Sequence, residues 1–158
     1  MSGKGSNARV VAVCLGEGGI PKHPVDEAQV GPLGLDGDRH RFHLHGGENR
    51  AVCLLSTEVY RELQEDDVAC EAPGAFGENV LTEGLDDRTL RPGDRLSLGD
   101  EVVVEIHDVR APCKTLKALD PRFPDLMLGR SGWVCSVVRG GTLRPGRSIS
   151  RIAAGQSD

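Results

Sequence analysis

Aromatic residues are scarce in this sequence: one tryptophan, one tyrosine and three phenylalanines make up 3% of 158 residues. A core must therefore come from Val, Leu, Ile and Ala. Positive charge is not in excess either. The formal net charge is −5 and the isoelectric point lies near 5.5. That argues against a general nucleic-acid binder and leaves room for a local basic pocket for a small anion. The five cysteines, Cys14, Cys53, Cys70, Cys113 and Cys135, are odd in number and contain no C-x-x-C pair. Neither a disulfide framework nor a cysteine-only zinc site is expected. After a polar start, Met1 to Arg9, the apolar run Val10 to Leu15 is too short for a signal segment or a membrane span. The expectation is a cytoplasmic protein with no membrane partner and with thiols free to react. Neither the Walker nor the dinucleotide fingerprint is present.

What the chain does have is punctuation. Its 21 glycines and nine prolines are scattered between short apolar runs, the pattern of many turns rather than of disorder. The length suits one domain with a real core, expected over residues 8–152 between tails at 1–7 and 153–158. Strands are predicted at Ala8–Leu15, Ala51–Leu55, Val80–Thr82, Asp94–Leu98, Glu101–Asp108, Trp133–Arg139 and Ser148–Ile152. Gly99-Asp100 and Gly140-Gly141 are read as hairpin turns. Ser56 is a natural N-cap for a helix from Thr57 to about Glu65, with Val59, Tyr60 and Leu63 facing inward. Gly16 to Gly34 has no clear period and reads as a long loop, and Asp120 to Ser131 reads as irregular. Thr89-Leu90-Arg91-Pro92-Gly93 is echoed by Thr142-Leu143-Arg144-Pro145-Gly146, and Pro-Gly suits the centre of a type II turn. The sum predicts a mainly β domain, a closed or partly closed barrel with one or two short helices.

The chemistry concentrates at Val102–Leu116. A valine-rich strand ends at Arg110-Ala111-Pro112-Cys113, and proline suits the first position of a helix. A helix starting there places Cys113 in its first turn, where free N–H groups, Arg110 and Lys114 favour a thiolate. A buried, inert cysteine beside a turn is the competing reading. His40, His43 and His45 do not complete a zinc set, because no Cys or Glu pattern joins them. Asp36, Asp38 and His40 alternate, yet Gly37 makes turn chemistry an equal reading. Two glycine loops, Gly46-Gly47-Glu48-Asn49-Arg50 and Gly74-Ala75-Phe76-Gly77-Glu78-Asn79, allow close backbone approach to a ligand. Asparagine can donate and accept there, and Arg50 can fork onto phosphate.

In order, Gly34-Leu35-Asp36-Gly37-Asp38-Arg39-His40, Gly47-x-x-Arg50-Ala51-Val52, Pro73-Gly74-x-Phe76-Gly77-Glu78-Asn79, Arg91-Pro92-Gly93-Asp94, Arg110-x-Pro112-Cys113 and Gly140-Gly141-x-x-Arg144-Pro145-Gly146 resemble a stand-alone bacterial MOSC domain. That family takes its name from the C-terminal domain of molybdenum-cofactor sulfurase. The resemblance runs from about Val10 to Ile152, and Phe-Gly-Glu-Asn followed by Arg-x-Pro-Cys is its specific part. It implies a β-barrel, a pocket for the molybdenum cofactor (molybdopterin) and a cysteine that ligates molybdenum or carries sulfur as a persulfide, which maps to Cys113. Arg110 and Lys114 would then stabilise the thiolate, while Arg50, Asn79 and His40 bind the pterin phosphate or shape the pocket. An association with pyridoxal phosphate exists at family level only. Two departures stand out: Cys135-Ser136 where such domains often show Ala-Arg, and Gly146-Arg147 where they often show Gly-Asp. The resemblance implies either a molybdenum-cofactor-dependent oxidoreductase (acting on N-hydroxylated compounds in some relatives) or a sulfur transferase. A redox or sulfur-donor protein would be its partner. A non-catalytic carrier of cofactor or sulfur, and a plain structural β domain, are the rival readings.

Overall fold

The computed structural model describes residues 8–16, 22–38, 51–70, 72–111 and 114–152, with the backbone alone at 114 and 115. The chain-terminal tails expected at 1–7 and 153–158 lie outside these residues. In chain order the elements are β1 (Arg9–Leu15), β2 (His23–Val25), β3 (Ala28–Gly31), β4 (Gly34–Leu35), β5 (Val52–Ser56), α1 (Thr57–Glu65), β6 (Val80–Glu83), β7 (Arg95–Leu98), β8 (Val102–Val109), β9 (Trp133–Arg139), β10 (Gly141–Leu143) and β11 (Ile149–Ile152). The mainly β expectation holds. The strands form an eight-stranded sheet ordered β11-β7-β8-β9-β5-β6-β1-β2 and a three-stranded sheet ordered β10-β3-β4.

The ladder does not close, so of the expected closed or partly closed barrel the structure shows the mainly β composition and not a closed barrel. The large sheet nonetheless bends far enough that β1 meets the approach to β11. Arg9 bridges Ser148, and Val10 N donates to Arg147 O at 2.8 Å while Gly146 N donates to Val10 O at 2.7 Å. These bonds join the two regions without a continuous run of paired residues.

Two apolar clusters lie on the two faces of the bent sheet. The first gathers Val10, Val13, Val52, Leu54, Val80, Leu96, Leu98, Val104, Ile106 and Ile149 with Ala28, Val30, Leu35 and Leu143 of the small sheet. The second gathers Ala12, Cys14, Leu55 and Leu81 beneath Val59, Tyr60 and Leu63 of α1, together with Phe76, Leu116, Phe123 and Met127. A register shift between Val10 and Ala12 separates the two sets on β1. One extra residue there changes which side chains point inward, so Val13 rather than Ala12 serves the first cluster.

The helix follows its sequence closely. Ser56 Oγ accepts from Val59 N at 3.2 Å, capping one of the helix's orphan donors. The β7–β8 hairpin is also present, with Leu98 opposite Val102. Both Pro-Gly turns place glycine at positive φ, +95° at Gly93 and +90° at Gly146, as the third residue of a type II turn requires. Two expectations fail. Gly16–Gly34 is not one loop, since β2, β3 and the first residue of β4 fall in it. Strands of two to four residues are too short to show a period. Nor does Gly140-Gly141 make a hairpin: β10 leaves for β3, and β11 pairs with β7. Residues 120–131 also contain a short 3-10 helix at Asp125–Met127.

Replacing Ser56 with Ala removes the cap and is expected to cost about 1 kcal/mol. Urea unfolding monitored by helix circular dichroism measures it; an unchanged midpoint would mean that the cap contributes nothing.

Candidate functional site

The site is built from the connection between α1 and β6. Glycines at 74 and 77 turn it back on itself, and Gly77 N donates to Gly74 O at 3.0 Å. Gly74 has φ +88°, and a Cβ there would lie 2.2 Å from Lys22 O, so no side chain fits. Phe76, at the tip, is fully buried. It meets Tyr60 edge-on at 5.0 Å and Phe123 at 5.7 Å. Three of the five scarce aromatics are therefore spent on holding this loop.

Glu78 and Asn79 leave the loop pointing into polar interiors. Glu78 is wholly buried. Its Oε2 accepts from Tyr60 Oη at 2.6 Å and from Gly74 N at 2.9 Å, while Oε1 has no partner. Burial holds its carboxyl above the usual carboxylate range, partly offset by the Tyr60 and Gly74 hydrogen bonds and by the Arg110 charge. Asn79 uses its whole amide. Oδ1 accepts from Cys53 N at 3.0 Å, and Nδ2 donates to Asp38 Oδ2 at 2.9 Å and to Cys14 O at 3.3 Å. Asp38 in turn takes Lys22 Nζ on both oxygens, at 2.9 and 2.8 Å, and Gly16 N at 2.9 Å. The side chains of Lys22 and Asp38 are only 7% and 2% exposed.

Arg110 reaches the same loop from the end of β8. Its backbone N donates to Gly132 O at 2.9 Å and its Nη2 to Phe76 O at 2.6 Å; Nη1 has no partner. Of the expected site residues, then, Arg110 and Asn79 meet on one loop, and Asp38 is bonded to Asn79. Asn79 holds the backbone ends of β1 and β5 and has no donor left for a ligand. Lys114 opens a five-residue 3-10 helix, Lys114–Ala118. Cys113, Arg50, His40, His43 and His45 lie outside the described residues. The expected α-helical start at Pro112 lies there too. Lys22, Tyr60 and Glu78 were not singled out from the sequence. Tyr60 left the one usable signal, as the sole tyrosine on the inward face of a helix. Lys22 left none.

Two of the other thiols, Cys14 and Cys135, are poor nucleophiles. Burial pushes Cys14 up to about 12, with Glu78 adding to the effect, and burial raises Cys135 too. Cys135 belongs to the first apolar cluster, so the departure at Cys135-Ser136 places this thiol in the core.

The MOSC domain family model matches residues 41–150, which hold Phe76-Gly77-Glu78-Asn79 and Arg110-Ala111-Pro112-Cys113. The chain belongs to the MOSC domain family. It is 35% identical over 147 residues to protein YiiM of Escherichia coli, and 32% identical over 129 residues to a protein named reductase from Gibberella moniliformis. The match takes in 85% of this chain and 65% of the first relative, but 75% of this chain and 22% of the second. The chain thus spans less than two thirds of either relative. Among solved structures, YiiM of Geobacillus stearothermophilus superposes with a TM-score of 0.78 at 26% identity, covering 94% of this chain and 76% of that one. Lys22 and Asp38 precede the matched residues of this MOSC domain, so the clamp on Asn79 reaches the motif from outside them.

Asp38→Asn leaves the buried Lys22 ammonium without its counter-charge. A loss of about 3–5 kcal/mol is expected, most of it restored by adding Lys22→Met. Chemical denaturation of the single and double variants checks this, and a single-variant loss below about 1 kcal/mol would contradict the clamp.

Proposed function

We propose that this MOSC domain binds the molybdenum cofactor, with Cys113 as the functional thiol that ligates molybdenum or holds sulfane sulfur. The observation carrying this reading is the bond from Arg110 to Phe76 O, which ties the first residue of the Arg-x-Pro-Cys motif to the Phe-Gly-Glu-Asn loop. The described donors fit the cofactor at one point. Arg110 keeps a guanidinium nitrogen without a partner, suited to a phosphate oxygen. Asn79 supports the pocket wall instead of binding. Arg50, His40 and Lys114 complete the proposed set, and Cys113 supplies the soft ligand. Bound, the cofactor would supply redox chemistry that no side chain of the chain provides. The chain's own part is to bind it, to hold the thiol ionised beside Arg110 and Lys114, and to bury the loop against water.

A second reading is a carrier that delivers cofactor or sulfur to another enzyme through the same residues. In an oxidoreductase reaction this domain would draw its electrons from elsewhere. Turnover separates the two: a carrier binds and hands on without converting substrate.

The test is purification from a host that makes the cofactor, followed by molybdenum and sulfane-sulfur analysis per chain. Wild type is expected to retain one or both, and Cys113→Ser to fall to background with a stability change within about 0.5 kcal/mol if the thiol is at the surface. Retention of both by Cys113→Ser at the wild-type level would remove Cys113 from the centre of the account.

A further inference from the structure

Beside Phe76, two buried side-chain atoms have no hydrogen-bond partner, Oε1 of Glu78 and Nη1 of Arg110. They belong to groups of opposite sign whose charges act on each other, yet no hydrogen bond joins them. A fully buried carboxylate in that position is costly without a direct partner. A neutral carboxyl costs less, although its hydroxyl would still lack an acceptor. Oε2 is already occupied by Tyr60 Oη and Gly74 N, so the proton belongs on Oε1. Arg110 then remains a full cation held, among the described residues, by a carbonyl alone, Phe76 O. Arg110 is half-buried as a residue whereas Glu78 is sealed, and Nη1 of Arg110 is buried, so an ion from outside reaches the guanidinium before the carboxyl and must enter the interior to meet Nη1.

We infer that Glu78 and Arg110 form a proton-linked oxyanion gate, in which one oxyanion bound at Arg110 and one proton on Glu78 Oε1 are taken up and released together. With Glu78 neutral, Arg110 attracts the anion. With Glu78 ionised, the carboxylate is the internal counter-charge and repels it. The coupling is reciprocal, so the bound anion also holds the proton on Glu78. Among the described residues, the other groups facing Glu78 do not compete. Tyr60 on α1 has its pKa pushed far up by burial. Cys14 on β1 stays a neutral thiol to about pH 12, and Lys22 and Asp38 are paired with each other. The identity of the physiological oxyanion as the cofactor's phosphate rests on the proposed function; the gate itself rests on Arg110 and Glu78.

Sulfate, which does not titrate above pH 3, is the probe. Calorimetry in buffers of different ionisation heat, from pH 5.5 to 8.5, counts the protons taken up per sulfate. Wild type is expected to bind more weakly as pH rises through the Glu78 pKa, by up to about tenfold per unit, with uptake approaching one proton. Glu78→Gln should bind with no uptake and no pH dependence, and Arg110→Gln should not bind. A merely structural defect would not change the proton count. Sulfate binding without uptake, uptake that persists in Glu78→Gln, or no sulfate binding by wild type would each overturn the gate. Cys113→Ser is expected to keep the linkage, so loss of the gate and loss of molybdenum retention are separate results. Cofactor-loaded protein that no longer takes sulfate identifies the cofactor phosphate as the resident oxyanion; undiminished binding identifies a free anion.

Discussion

The carboxamide of Asn79 is the contact on which the rest of the site depends. It closes the end of β5 through Cys53 N, the end of β1 through Cys14 O, and the 36–38 turn through Asp38. Buried polar groups without partners are expensive, so each bond constrains the segment it reaches. Asp38 passes the constraint on to Lys22, whose backbone N donates to Gly74 O at 2.8 Å. The path thus returns to the loop that Asn79 terminates. Three stretches distant in sequence are fixed against one another by side chains that are almost entirely buried.

That economy decides which residues are available for a ligand. Lys22 and Asn79 have the right chemistry for an anion but are committed internally. Near the loop, Arg110 is the cation among the described residues with an unpartnered nitrogen, and it stands three residues before Cys113. Tyr60 and Phe76 shield Glu78, which lets one loop combine an apolar wall with a titratable group. The fold positions these parts because α1 crosses between the parallel strands β5 and β6, and the connection back is where glycines, aromatics and the Glu-Asn pair are concentrated.

Much of this was legible in the sequence. The helix, its Ser56 cap and its three inward residues were readable because a cap and a 3.6-residue period are local signals. The valine-rich strands and the two Pro-Gly turns were readable for the same reason. Strand partners were not: β11 pairing with β7 and β10 pairing with β3 are choices made by the whole chain. The short strands around Pro24 and Gly31 carry no alternation at all. The motif Phe76-Gly77-Glu78-Asn79 pointed to the right loop, but the expectation for Asn79 was a ligand contact where the structure has a structural clamp. An amide's role depends on what lies within 3 Å of it, and Asp38 and Cys14 are far away in sequence. Lys22, in a stretch that reads as loop, became visible only through its burial.

The central proposal is that a single pocket is assembled at this loop, with Arg110 on one side, the Asp38 segment on the other, and Cys113 as its thiol. A crystal structure of the cofactor-loaded chain tests it most directly. The account predicts the pterin phosphate at the Arg110 guanidinium and the Cys113 sulfur in the same pocket, with Asn79 still bonded to Asp38 and Cys53. A cofactor bound at the far edge of the large sheet, beside β7 and β11, would contradict it.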